Sequence, residues 1–371
     1  MTIGKTWHSP LSGEMLAADT PHSLVGPTGD RWPVVDGIPY LRSNRDSLVE
    51  QTLACLDAGA RNDALVLLLG DQDDWWTGPA TNDADLRQLV AHRDELSLRD
   101  AMALLRFGPV ADYFAHRWSD PTYLAGLALL QAHWNAPHSA FELAGGIGHY
   151  AREMARHGTA CTSADVVFAK CWLGKHWVAP TADYVVFDAQ DAHWPLGKRT
   201  FDLVHCQDAF YFLPDQPRVA DRLRRATAQR GLLAIGHLHN ADINGGAFGP
   251  AKPANEWSAL FPDALVYDER ELRAALLEQR APVPTAWSAD EAVEAWSVVE
   301  PVGKAQSAAG PLSVPHDKAE LQDNPLLTNG RACWPSDRYA KEYGPTATWT
   351  DASADTPPDV DRRLVALPKR W

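Results

Sequence analysis

The chain predicts an α/β fold: a doubly wound sheet, with a small N-terminal β module, a helical insert and a C-terminal extension added to it. Three observations predict it. The stretch FELAGGIGHYAREMARHGTACTSAD, Phe141 to Asp165, reads as an apolar strand, a glycine-rich turn, a helix and a second strand ending in an acidic residue. Asp165 follows Gly146 by nineteen residues, the distance at which a carboxylate reaches the ribose hydroxyls in a nucleotide-binding βαβ unit. Further strand-like runs succeed one another at 184–191, 201–212 and 230–240.

The glycine turn is the centre of this pattern. Gly145, Gly146 and Gly148 lack a Cβ, so the backbone can bend sharply and lie against a ligand. The helix opening near His149 presents unpaired N–H donors to a polar or anionic group. On glycine spacing alone two readings stand, because residues 146–151 also fit the GxGxxA form of the dinucleotide fingerprint. The order of the later strands resembles that of the class I S-adenosylmethionine (SAM)-dependent methyltransferases, whose loop motif is (D/E)xGxGxG. Glu142 stands at the acidic position, and Ala144 stands where that family has its first glycine.

The resemblance implies a Rossmann-like sheet, SAM as cofactor and S-adenosylhomocysteine as product. It implies that Glu142 and the loop backbone of Ala144, Gly145, Gly146 and Gly148 hold the methionine portion. Asp165, with Val166 beside it, would bind the ribose, and Asp188 with the amide of Ala189 would read the adenine edge. Gln207 or Asp208, just past the fourth strand, would face the bound methionine and the transferred methyl.

From the N-terminus, residues 1–42 form a separate module of short β-prone runs between Pro and Gly turns. WHSPLSGEML and SLVGPTGDRWPVVDGIPYLR resemble the zinc-ribbon-like domain of the tRNA-methyltransferase activator family, with its signature CPxC…CxxCG…YPVxDGIPxL. Ser9 and Ser12 stand at the first cysteine pair and Gly26 and Gly29 at the second, so the four thiolates of a structural zinc site are missing. A metal-free module follows, with WPVVDGIP as a hairpin packing on a neighbour in a scaffolding or dimer-contact role.

Residues 43–138 read as a helical insert. SLVEQTLACLDAG, DALVLLLG and SLRDAMALLRFG place apolar residues three and four apart, with Ser97 as an N-cap. Trp75 and Trp76 are candidates for an aromatic substrate wall, against the alternative that they pack a helix corner. In the family this region covers the cofactor, which makes Tyr113, Trp118 and Tyr123 candidates for that cover, Tyr123 also as a substrate contact.

Residues 139–302 make the SAM-binding domain and 303–371 the extension, in which Trp334, Arg338 and Tyr339 are candidates for docking. A sulfonium methyl is already activated, so the protein has to align nucleophile, methyl and sulfur and, for a hydroxyl acceptor, remove a proton. Bases belong at the C-terminal ends of the fourth and fifth strands, where open α/β sheets place ligands. Asp208, His237 and His239 qualify, His239 being nearest its strand end, and Tyr211 is a substrate-contact candidate. His237 and His239, two apart in a strand, share a face. Two imidazoles need a further ligand to hold a metal and no residue supplies one at a diagnostic spacing, so no metal is expected.

Composition narrows the partners. A net charge of −14 argues against a polyanion held by bulk electrostatics. Five scattered cysteines without a CxxC pair indicate a reducing compartment, and the lack of a long apolar run argues against a membrane span. The expected protein is a cytoplasmic enzyme that methylates a small molecule, on oxygen by preference, with a homodimer as the candidate assembly. An NAD-dependent oxidoreductase and a non-catalytic SAM-binding scaffold are the alternatives.

Overall fold

The computed structural model describes residues 6–74, 76–117, 120–244, 251–288, 293–301 and 303–312, with short stretches at 321–323, 327–329, 331–334, 337, 340–341 and 366–371. Trp75, Trp118, Arg338 and Tyr339, singled out above, lie outside the described residues.

Four short strands open the chain: β1 (Ala17–Thr20), β2 (Ser23–Val25), β3 (Arg31–Val35) and β4 (Ile38–Pro39), paired antiparallel in that order. The turn between β3 and β4 is Asp36-Gly37, with φ of 50° and 75°. Two consecutive positive φ angles are what a two-residue hairpin turn matching strand twist demands, and Asp-Gly supplies them cheaply. The expected WPVVDGIP hairpin therefore forms. Asp36 accepts hydrogen bonds from Trp172 Nε1 at 2.8 Å and His176 Nε2 at 3.2 Å.

In the N-terminal module, Ser9 staples the turn that follows it. Its hydroxyl donates to Asp30 Oδ2 at 2.6 Å, while the amides of Leu11 and Ser12 donate back to it at 3.2 and 3.3 Å. Asp30 also accepts from Thr28 and Trp32 Nε1. Burial alone would raise the Asp30 pKa, but these hydrogen bonds outweigh it and hold the group below its usual value. Ser9→Ala should lower stability by about 1–2 kcal/mol, because it leaves two amides and a carboxylate short of a partner. Urea unfolding measures it, and an unchanged midpoint would deny the serine its stapling role.

Six helices follow: α1 (Asp46–Asp57), α2 (Arg61–Leu69), α3 (Asp83–His92), α4 (Leu98–Leu104), α5 (Pro109–His116) and α6 (Pro121–Ala132). Their starts are written in the sequence. Asn82 accepts from Asp85 N, Ser97 and Asp100 form a reciprocal capping box, and Asp120 accepts from Tyr123 N. Arg42, almost wholly buried, ties the N-terminal module to its surroundings by donating to Asp71 Oδ2 (2.8 Å) and to the carbonyls of Gln72 and Val166.

The remaining elements alternate. They are β5 (Ser139–Leu143), α7 (His149–Arg156), β6 (Ala160–Asp165), α8 (Phe168–Leu173) with a π-helical turn at Gly174–Val178, and β7 (Asp183–Val186). Then come β8 (Phe201–Gln207), a 3₁₀ turn at Phe210–Phe212, α9 (Gln216–Ala226), β9 (Thr227–His239), α10 (Ala241–Asn244), α11 (Ala254–Leu260), β10 (Leu265–Asp268), α12 (Glu269–Leu277) and β11 (Ala295–Glu300). Seven strands form one sheet in the order β10-β11-β9-β8-β5-β6-β7, with β5, β6 and β7 parallel. β11 lies inside the sheet, antiparallel to both β10 and β9. This mixed sheet with flanking helices is the Rossmann-like α/β fold that the loop and strand order predict.

Residues 6–108, 138–204 and 214–231 belong to one compact unit, and 109–137, 205–213 and the residues from 232 onward to a second. In the first, β5 to β7 are backed by apolar side chains such as Phe141, Val185 and Phe168, all fully buried. In the second, α6 is buried along almost its whole surface and packs against α12.

His133 and His205, in the second unit, are held neutral. His133 Nε2 lies 2.9 Å from the Tyr267 hydroxyl, and burial lowers its pKa to about 4. His205, on β8, is lowered by burial to about 3. The unfolded chain, with histidine near 6.5, binds these protons first, so the stability they confer is complete above about pH 6.5 and is lost as the pH falls below it. The urea midpoint should accordingly drop between pH 7 and pH 5, and His133→Gln should flatten that slope. A variant with the full wild-type slope would overturn the assignment.

Candidate active site

The glycine loop lies in the first unit, between β5 and α7. Ala144 has φ 54°, Gly146 56° and Gly148 83°, so three of its five residues sit in the left-handed region. Gly146 and Gly148 reach it freely, whereas Ala144 pays a steric cost of about 1 kcal/mol for its Cβ. Space is equally restrictive. A Cβ on Gly145 would stand 2.2 Å from Ser163 Oγ and 2.6 Å from the Glu142 carboxylate, and one on Gly148 2.5 Å from the Tyr184 hydroxyl.

Glu142, from β5, is buried under this loop and accepts from Ser163 Oγ at 2.9 Å. Asp165, at the end of β6, accepts from the amide of Gly146 on Oδ2 and that of Val167 on Oδ1, both at 3.0 Å. Lys170 Nζ stands 3.4 Å from Oδ1. The carboxylate that the spacing marks for a ribose thus also holds the glycine loop to the next helix. Past β7, Asp188 accepts from the amide of Gln190 at 2.8 Å, and the Ala189 carbonyl accepts from Trp194 Nε1 and Arg222.

The second unit carries an ionisable cluster at the ends of β8 and β9. Asp208 Oδ2 accepts from the Tyr113 hydroxyl at 2.7 Å and from Arg117 Nη1 at 2.9 Å, and Oδ1 from the Tyr211 hydroxyl at 3.2 Å. Arg117 also reaches Asp120 Oδ2 at 3.1 Å. His237 Nδ1 donates to Glu269 Oε2 at 2.7 Å, and Nε2 lies 3.7 Å from Asp208 Oδ1. Ser297 Oγ donates to the other oxygen of Glu269 at 3.0 Å. The rings of His237 and His239 stand 4.3 Å apart, and His239 meets Tyr211 edge-on at 4.4 Å.

Backbone irregularity builds this cluster. Trp296 pairs with Leu238 and Val298 with Ile235, so Gly236 and His237 together oppose Ser297 in a bulge, with His237 at φ 59°. Asp208 is likewise left-handed, at φ 53°. The expected approach of His237 and His239 holds, although by a bulge rather than by regular strand alternation.

Burial and charge then set the protons. Burial would lift Asp208, but Arg117, His237 and the Tyr113 hydroxyl outweigh it and keep the pKa below the ordinary carboxylate value. For Asp120 burial wins and the pKa rises. Burial lowers His237, but Glu269 and Asp208 overcome it and push the imidazole up to about 9. His239, lowered first by burial and then by His237, falls to about 3.

Of the other candidates, Tyr211 joins the cluster. Gln207, at the end of β8, is buried, with Nε2 lacking a hydrogen-bond partner among the described residues. Tyr123 is fully buried in α6, and Trp76, in the first unit, packs on Phe107 and donates to the Pro79 carbonyl. Sequence reasoning missed Arg117, Asp120, Glu269 and Ser297 as members of the cluster. No spacing relates them to Asp208 or His237; each reaches the cluster by helix or strand packing.

Residues 141–235 match the family profile described as a methyltransferase domain, a stretch that runs from β5 into β9. Among solved structures, a TehB-like SAM-dependent methyltransferase from Corynebacterium glutamicum is 17% identical, with 52% of this chain and 98% of that one covered and a TM-score of 0.38. A putative methyltransferase from Bacillus halodurans is 14% identical, covering 47% of this chain and 96% of that one, with a TM-score of 0.34. No curated protein sequence matches the chain.

Residues 141–235 carry a methyltransferase domain, a domain whose chemistry calls for S-adenosylmethionine. The residues present fit that cofactor: a left-handed loop in which glycine is sterically required, with buried Glu142 beneath it and Asp165 at the next strand end. No described helix is long and apolar enough to cross a membrane.

Proposed function

We propose that the methyl acceptor is a small molecule and that its nucleophile is a hydroxyl oxygen. The observation that carries this reading is the cluster of Asp208, His237 and His239 at the ends of consecutive strands β8 and β9, with ligand atoms within 4.8 Å of one another, where open α/β sheets place their ligands. SAM, when bound, supplies a methyl already activated on a sulfonium. The protein's part is to hold the acceptor oxygen in line and take up its proton, and the cluster offers both a fixed anion and imidazole nitrogen for that purpose. Tyr113 and Arg117 keep Asp208 oriented, and Ser297 and Glu269 keep His237 oriented.

In the first unit, Glu142 and the loop amides hold the methionine portion, Asp165 the ribose and Asp188 with Ala189 the adenine. The N-terminal module is proposed as a metal-free, zinc-ribbon-like scaffold in which the Ser9–Asp30 contact takes the place of a thiolate site. A homodimer in the cytoplasm completes the proposal.

Isothermal titration with SAM and with NAD tests the cofactor half: SAM should bind and NAD should not. Incubation with methyl-labelled SAM and a pool of hydroxylated metabolites tests the acceptor half. Label on nitrogen or carbon products alone would overturn the oxygen assignment.

A further inference from the structure

We propose that Asp208, His237 and His239 form a binding site for one divalent first-row transition-metal ion, with zinc foremost, and that Glu269 positions His237 for it. The role of the ion, holding an acceptor oxygen as its anion, rests on the methyl-transfer reading above. The site itself rests on geometry alone.

Sequence spacing offered two imidazoles and no third ligand. The fold supplies it, because Asp208 follows directly on β8 and one ligand atom of each residue lies within 4.8 Å of the others. Imidazole and carboxylate together suit zinc and its first-row neighbours better than magnesium or calcium, which prefer oxygen alone. The 3.7 Å between His237 Nε2 and Asp208 Oδ1 is too long for a hydrogen bond. It is close to the spacing of about 3.4 Å between two ligand atoms arranged tetrahedrally around zinc at about 2.1 Å.

The surroundings are those a metal-binding histidine requires. Nδ1 of His237 is committed to Glu269, whose other oxygen is held by Ser297, which leaves Nε2 as the coordinating nitrogen. On Asp208, Tyr113 and Arg117 both occupy Oδ2, while Oδ1, which also accepts from the Tyr211 hydroxyl, is the oxygen that faces His237. Charge agrees as well. Asp208 and Glu269 place two carboxylates against His237, surroundings that favour a cation there. Asp208 and His237 are both held at positive φ, a conformation that costs a non-glycine residue energy and that clusters at functional sites. Three ligands leave at least one coordination position for a water or an acceptor oxygen, as in catalytic rather than structural zinc sites.

The test uses the full chain, stripped with a chelator and titrated with Co²⁺ alone, followed by visible absorption, with Zn²⁺ competition and no SAM present. One Co²⁺ per chain should bind with d–d bands and be displaced by one Zn²⁺. His239→Ala and Asp208→Asn should each weaken binding about 100-fold or more, and Glu269→Gln about 10-fold, the range expected for an orienting partner. X-ray absorption on the Zn²⁺-loaded wild type, which depends on no variant folding, should show two imidazoles with oxygen donors. Failure of the wild type to bind one Co²⁺, binding that His239→Ala and Asp208→Asn leave unchanged, or a shell with fewer than two imidazoles overturns the site. SAM affinity measured in parallel separates the two claims: metal binding without SAM binding would leave this site standing and sink the methyl-transfer role assigned to it.

Discussion

Gly145→Ala should abolish measurable SAM binding and lower the stability of the protein by about 2–4 kcal/mol. The added methyl would stand 2.2 Å from Ser163 Oγ and 2.6 Å from the Glu142 carboxylate, side chains that are themselves buried and bonded to each other. Neither is a flexible tip that can swing aside, so the loop or the Glu142–Ser163 bond must give, at the cost of overpacking and a lost hydrogen bond. Titration with SAM and urea unfolding of the same sample report the two effects. The neighbouring Ala144→Gly provides the control. Ala144 already sits at φ 54°, so glycine there removes a steric cost at some expense in chain entropy, and both affinity and stability should stay within about 1 kcal/mol of wild type. Normal SAM affinity in Gly145→Ala would mean that the loop does not have the shape described.

Arg117→Met should be the most destabilising single change in the second unit, at about 3–5 kcal/mol. Arg117 is 3% exposed and its Nη1 donates to both Asp120 and Asp208, so methionine would leave two buried carboxylates without their cation, and breaking a buried pair from one side costs that much. Its guanidinium also lies 5.0 Å over the Tyr113 ring, a smaller loss of packing. Adding Asp208→Asn to Arg117→Met should recover part of the loss, because the second change removes one of the stranded charges; the double-mutant cycle measures the coupling. Equal stability of Arg117→Met and wild type would show that the cluster is solvated rather than buried.

Much of the fold was legible because the signals that carry it are local. The strand–glycine–helix–strand stretch at 141–165, the Asp-Gly hairpin of the N-terminal module and the capping box at Ser97 each depend on neighbours within a few residues, where φ restrictions and unpaired amides act directly. The placing of Asp165 against the glycine loop was legible for a related reason, since a βαβ unit of fixed length puts the end of its second strand at a set distance from the loop.

Other features were not. Asp208 and His237 were visible as strand-end residues, yet Arg117 is 91 residues from Asp208 and Glu269 is 32 from His237, separations that no periodicity encodes. The bulge that brings His237 toward Asp208 depends on how β11 pairs with β9, a register set by tertiary packing.

By itself, the sequence determined the class of sheet, the position of the glycine loop and the carboxylates that serve it. Only the tertiary structure decided that Asp208, His237 and His239 form one cluster, and which charges surround it. The physical reason is range: backbone sterics and capping act within a turn or two of chain, whereas the charge balance of a buried cluster is set by whatever distant segments the packing of the core brings against it.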